Sequence, residues 1–362
     1  MSPSQEDSLG QLLILKVNEL RWDSSLERFL HRVLPGGVVI DAPLTGGAKT
    51  VSEFLFKVAQ ALPAVPFLAL REEGGAMDPL RGFLPPLPSP RAVAGKGLAA
   101  VTRLGDLVGI AFQLLGFNTD LAPLLDLGTP GAEGIAAARA FSPDPQQVAK
   151  CGGAFLLGLE RHNILACGKH FPGLGSVLYS SLPERSLVAK SMLELWHEDL
   201  VPYRALLPRL PLVLMSTAAY KAYDFDLPQS AGLSPRIVEG LLRAKLGYNG
   251  VAITYGLEME AVRGTLDLGE AAVQALRAGC DALLLEKAGA VEVARQALSA
   301  ARESGKLLRP RIEQALERIE FAKKTLKPPR RMLPRRSLDR LAREFKDFSS
   351  DFSANSGSIQ VG

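Results

Sequence analysis

Four histidines, three cysteines and 6% aromatic residues are a sparse supply of chemically versatile side chains for 362 positions. Cys151, Cys167 and Cys280 have no metal-ligand spacing, and their odd number excludes a fully paired disulfide framework. Each lies in or beside an apolar segment, as a small buried thiol does, which fits a reducing cytoplasm. His31, His162 and His197 sit in helical stretches among polar residues and read as solvated. No histidine belongs to a metal cluster, so neither a metal nor a cofactor is expected. No GxGxxG opens a helix after the first strand, which counts against a dinucleotide fold. No apolar run approaches the roughly 20 residues of a membrane span. The polar start MSPSQEDSLG lacks the basic and apolar regions of a secretory leader.

What is present is a large apolar fraction, 47%, with 22% charged residues, enough for a substantial core. The net charge of +4 is uneven: from Lys323 onward there are ten Lys and Arg against four Asp and Glu. The basic balance belongs to the tail, so nucleic-acid binding by the main body is not expected.

Eight short runs rich in β-formers recur between stretches of helical period: Leu12–Val17, Gly37–Ala42, Pro66–Leu70, Phe117–Pro123, Ile164–Phe171, Leu212–Ala218, Gly250–Thr254 and Asp281–Glu286. Most lack clean alternation, the pattern of parallel strands covered on both faces. Eight such runs with helices between them predict an α/β fold, a (β/α)8 TIM-type barrel. Ser234 followed by Pro235 predicts a helix start, and Gly247 and Gly279 predict helix stops.

The barrel is expected over residues 8–325. Residues 326–362 then form a Pro-rich basic linker, a short amphipathic helix and a disordered end. Leu338, Leu341, Phe345, Phe348 and Phe352 fall on one helical face. That face either docks on its own barrel or is a docking helix for a protein partner or an anionic membrane surface.

Chemistry in such a barrel belongs at the C-terminal ends of the strands. In chain order these read REEGG, ARAFSPDP, GKHFPGLG, MSTAAY and TYGLEM. Together with LSPRIVEGLLRAKLGYNGVAIT and GEAAVQALRAGCDALLL, they resemble glycoside hydrolase family 3, the single-domain β-N-acetylglucosaminidase type. The resemblance implies a retaining glycosidase without metal, in which a carboxylate attacks the anomeric carbon and a second group protonates the leaving oxygen.

The resemblance also marks departures. The family nucleophile is an Asp in a pattern like TDDLEM; here that position is Tyr255. The acid/base His falls on Leu182 and its orienting Asp on Ser180, and no His lies between His170 and His197. The sugar-binding Asp of DxEGG is Arg71, two family arginines fall on Ala76 and Pro79, and a family His falls on Ala218. Glu73, Arg139, Lys169 and His170 remain as candidate ligand-binding residues.

A neutral phenol, with an ordinary pKa of about 10, attacks poorly without a paired base. Glu258 and Glu260 are the carboxylates nearest to Tyr255 in sequence, and Glu258 fits helix-start electrostatics better than proton transfer. The leading expectation is a family relative without hydrolysis that binds a sugar, an anionic sugar derivative or a partner. Two alternatives stand: a β-N-acetylglucosaminidase-like glycosidase with a non-standard apparatus, and an interaction protein working through its basic tail helix. Arg71 either serves an anionic ligand or pairs with Glu72 or Glu73 and plugs the mouth. The oligomeric state is not legible.

Overall fold

Near-continuous apolar runs bury both faces of a strand, and that requires a layer on each side. The computed structural model, in which residues 5–41, 44, 46–128, 138–174, 186–330 and 335–353 are described, meets the requirement with a closed parallel barrel. Its strands are β1 (Leu13–Val17), β2 (Gly37–Ile40), β3 (Phe67–Leu70), β4 (Thr119–Asp120), β5 (Leu165–Phe171), β6 (Leu212–Met215), β7 (Val251–Ile253) and β8 (Leu283–Leu285). They pair in chain order, β8 returns to β1, and a parallel bridge between Ile253 and Ala282 closes the ring. All eight predicted runs are barrel strands, within a few residues at their ends.

Helices between the strands cover the outside. Ser234 Oγ accepts from the Ile237 N–H at 3.1 Å and so caps the helix Arg236–Lys245. That helix is wound more loosely than an α-helix, with the Leu246 N–H bonded to the Leu241 carbonyl. Helix Leu268–Ala278 starts on an Asp267–Glu270 capping box and ends at Gly279, whose φ of 112° is left-handed.

One described helix, Leu98–Leu115, has the length and apolarity of a membrane span, which the run-length reading of the sequence missed. It carries Arg103 and Asp106 near its middle and packs among the barrel's other helices. The terminal helix Arg335–Ser353 lies against it. Leu341 and Phe345 are buried there, and Leu338, Phe348 and Phe352 are partly buried. Arg103 joins the two helices, reaching Asp106 at 2.6 Å and Glu344 at 2.7 Å. The apolar face of the tail helix is therefore in use within the chain. The expected disordered end falls largely outside the described residues, as does part of the linker.

All three cysteines are buried and free. His162 differs from expectation: its Nε2 lies 2.7 Å from Asp106 Oδ1, so it is tied to the barrel's helical layer and only partly exposed. His31 and His197 are exposed.

Inside the ring, Ile14, Val39, Ala69, Leu214, Ile253 and Leu284 surround one small void. Side chains alternate along a strand, so the next inward position lies two residues further on. That position is Lys16 on β1, Asp41 after β2, Arg71 after β3, Ser216 after β6, Tyr255 after β7 and Glu286 after β8. A single layer of side chains thus forms the mouth at the C-terminal ends of the strands.

Candidate functional site

The REEGG run leaves β3 and turns back at Gly74 and Gly75, both with positive φ. The turn brings Glu73 inward, where it is 3% exposed. Arg139 grips it with a two-point fork, Nε to Oε2 and Nη2 to Oε1, both 2.9 Å. Lys169 Nζ lies 2.6 Å from Glu73 Oε1 and also donates to the Leu121 carbonyl. Burial raises the Glu73 carboxyl, but Lys169 and Arg139 outweigh it and hold the pKa at about 2. Burial pulls Lys169 down, and Arg71 and Arg139 add to this against the attraction of Glu73.

Strict alternation would send Lys169 and His170 to opposite faces of β5. The pairing with β6 shifts register between Lys169 and Phe171, leaving His170 as an extra residue. Such a bulge re-aims side chains, and both residues are buried. His170 Nδ1 lies 2.7 Å from Asp126 Oδ2, and the Asp126 carboxylate also accepts from the backbone N–H groups of His170 and Leu174. The His170 and Tyr255 rings lie 5.7 Å apart between centroids. Asp126 was missed in the sequence, although a lone carboxylate in the apolar stretch LAPLLDLG is a signal, because a buried acid needs partners.

Glu72, next to Glu73, is fully buried and bonds to the Gly74 N–H at 2.7 Å. Burial, then the Asp78 and Asp120 carboxyls, push its pKa well above the usual range. Asp120 Oδ2 has no partner among the described residues.

Arg71 pairs with neither Glu72 nor Glu73. Among the described residues its ion-pair partner is Asp41 at 3.6 Å, which corrects one of the two expected alternatives: Glu73 is occupied by Arg139 and Lys169, and Glu72 by the Gly74 turn. Lys16 holds Asp41 at 2.6 Å and Glu286 at 3.2 Å. Around the mouth the charges therefore alternate as Glu286, Lys16, Asp41 and Arg71. Arg71 and Asp41 also line a cavity of about 370 Å³ between the ends of β2 and β3. Ala76 and Pro79, where arginines are expected from the resemblance, line it too, and so does Arg81, two residues beyond Pro79.

Tyr255 is half-buried at the end of β7. Of the two carboxylates expected beside it, Glu258 is engaged through Oε1 alone, and its buried Oε2 has no hydrogen-bond partner among the described residues. Glu258 accepts from the backbone N–H groups of Glu286 and Lys287, at 2.7 and 3.1 Å, and so ties two strand-end loops together. Glu260 is exposed at the start of a short helix. A further carboxylate, Glu286 of the neighbouring strand, lies against Gly256. Ala218 is buried after β6. Ser180 and Leu182 lie outside the described residues. Among the described residues no group of three acidic, His or Cys side chains forms a metal site.

Residues 5–321 match the model of the glycosyl hydrolase family 3 N terminal domain. A beta-hexosaminidase of Tolumonas auensis is 32% identical over 289 residues, 78% of this chain and 85% of its own length. A beta-hexosaminidase of Pseudomonas aeruginosa is 32% identical over 251 residues, 68% of this chain and 73% of its own. Among solved structures, M tuberculosis LpqI superposes with a TM-score of 0.80 at 26% identity, covering 91% of this chain and 95% of its own.

Proposed function

The chain belongs to glycoside hydrolase family 3, and on that premise we propose that its barrel mouth binds a sugar of the N-acetyl-β-glucosaminide class. The observation that carries this reading is the buried Glu73, Arg139 and Lys169 cluster beside His170, at the strand ends where a barrel holds its substrate. Arg71 and Arg81 around the neighbouring cavity extend the reading to a sugar bearing an anionic substituent.

Hydrolysis by the family route needs a carboxylate at the end of β7, and that position is Tyr255. A phenol with no base bonded to it among the described residues does not replace a carboxylate. We therefore read the mouth as binding the sugar without cleaving it by that route.

A second reading, hydrolysis by a non-standard apparatus, is favoured by one observation. Glu286 brings a carboxylate against Gly256, the residue after Tyr255, from the adjacent strand. It would serve as the nucleophile or as the base for Tyr255.

The experiment is hydrolysis of an aryl N-acetyl-β-glucosaminide by pure protein, with thermal stabilisation by N-acetylglucosamine and its phosphates measured in parallel. Stabilisation without hydrolysis supports the first reading. Hydrolysis that Glu286→Gln or Tyr255→Phe abolishes supports the second. Neither stabilisation nor hydrolysis would overturn both.

A further inference from the structure

At the opposite end of the barrel, where the strands begin, lies a cleft of about 960 Å³. Loops at this end of a barrel serve stability more than chemistry, so a binding surface here is separate from the sugar site. Leu165, Leu210, Leu246 and Ala322 give the cleft an apolar lining. Phe321, which also lines it, is 78% exposed.

The charged lining is one-sided. Arg204, Arg209, Lys245, Arg318 and Lys324 face a single carboxylate, Glu317. Arg318 is engaged by Asp281 and Arg209 by Glu160. Arg204, Lys245 and Lys324 form no ion pair among the described residues. Arg204 and Lys245 instead flank the Trp196 ring, 4.3 and 4.4 Å from its centroid. The stack holds two cations in place and leaves their charge unneutralised.

From this pairing of an apolar lining with a basic rim, we infer that the cleft docks an acidic peptide segment of a partner protein, one carrying a bulky apolar side chain. Carboxylates of the segment meet Arg204, Lys245 and Lys324, and the apolar side chain packs on Phe321. Apolar contact at the centre with charge pairs at the edge is the usual division in a protein interface. A nucleic acid fits less well, because its phosphates would use the rim and leave the apolar lining wet.

The test uses the whole chain and a fluorescent peptide of about a dozen residues, alternating Glu with Leu, read by anisotropy. The expected result is saturable binding that weakens about tenfold or more in Arg204→Glu/Lys245→Glu and in Phe321→Ser. The same peptide with Gln for Glu is expected not to bind. Each substituted side chain is exposed, and thermal melting confirms that the variants fold. Three results would overturn the inference: no binding of the acidic peptide, binding that Phe321→Ser leaves unchanged, or tighter binding of a single-stranded oligonucleotide of equal charge. Concentration-dependent dimerisation abolished by Phe321→Ser would overturn it in favour of a second copy. Sugar-dependent stabilisation at the mouth is expected to be unchanged in these variants, which keeps the two sites distinguishable.

Discussion

The Glu286 carboxylate lies so close to Gly256 that a Cβ built on the glycine would sit 2.9 Å from Oε1. The two residues belong to neighbouring strand ends, and the missing side chain at 256 is what lets the acid rest over the residue after Tyr255. Gly256→Ala should push Glu286 out of this position and weaken its contact with Lys16. The displaced acid can turn towards solvent, so the stability loss should stay within about 1 kcal/mol. Denaturant unfolding checks that figure. Under the second functional reading, hydrolysis should fall sharply while the fold is kept.

Glu73→Gln should cost far more. It leaves Arg139 and Lys169 buried without their carboxylate, a loss of about 3–5 kcal/mol, together with loss of sugar-dependent stabilisation. The pH dependence has a definite sign. The Glu73 pKa is about 2 in the folded chain against an ordinary 4.5, so the unfolded chain binds the proton more readily. Its stabilising contribution is complete above about pH 4.5 and is lost as pH falls through 2. Melting temperatures across that window should fall more steeply in the parent than in Glu73→Gln.

Tyr255→Asp puts a carboxylate on the strand end where the proposed reading places the family's attacking group. An activated aryl N-acetyl-β-glucosaminide needs little help from a general acid, so the variant should form a glycosyl-enzyme on Asp and release the phenol. On the same reading, which puts Leu182 at the acid/base position, turnover should stay about 10²–10⁴-fold below that of a family enzyme with both groups. Mass spectrometry of the intact protein during turnover detects the adduct. A variant with neither adduct nor phenol release would argue against the mouth as a glycosidase frame.

Phe345→Ala should loosen the terminal helix on the barrel. Phe345 is fully buried against the barrel, and such truncations cost about 3–5 kcal/mol. The helix also holds on through Arg103 to Glu344 and Ser349 to the Pro86 carbonyl, so loosening should be local. Limited proteolysis should remove the segment after Leu326 from the variant first, and the barrel should remain folded.

Much of the architecture is legible in one dimension because it rests on local rules. Parallel strands buried on both faces must be apolar nearly throughout, which exposed all eight runs. Ser234, Gly247 and Gly279 mark helix ends through capping and left-handed backbone. Motif order predicts Arg71, Glu73, Arg139, Lys169 and His170 at one mouth; the described structure joins Glu73 to Arg139 and Lys169, sets His170 beside Tyr255 and pairs Arg71 with Asp41. Lys16, Asp41 and Glu286 were legible in principle, since each lies two residues past an inward apolar position. They carry no motif, and only barrel closure gives that alternation a meaning.

By itself, then, the sequence determined which segments are strands, where helices stop and which residue types stand at the strand ends, since backbone propensity and periodic burial act over neighbouring residues. Only the tertiary structure decided the partners. Lys16 meets Glu286 across 270 positions of sequence because β8 closes onto β1. Asp126 reaches His170 because β5 bulges, and Arg71 finds Asp41 because Glu73 is already taken. Ion pairs and hydrogen bonds act over a few ångströms of space, and such distances exist only once the ring has closed.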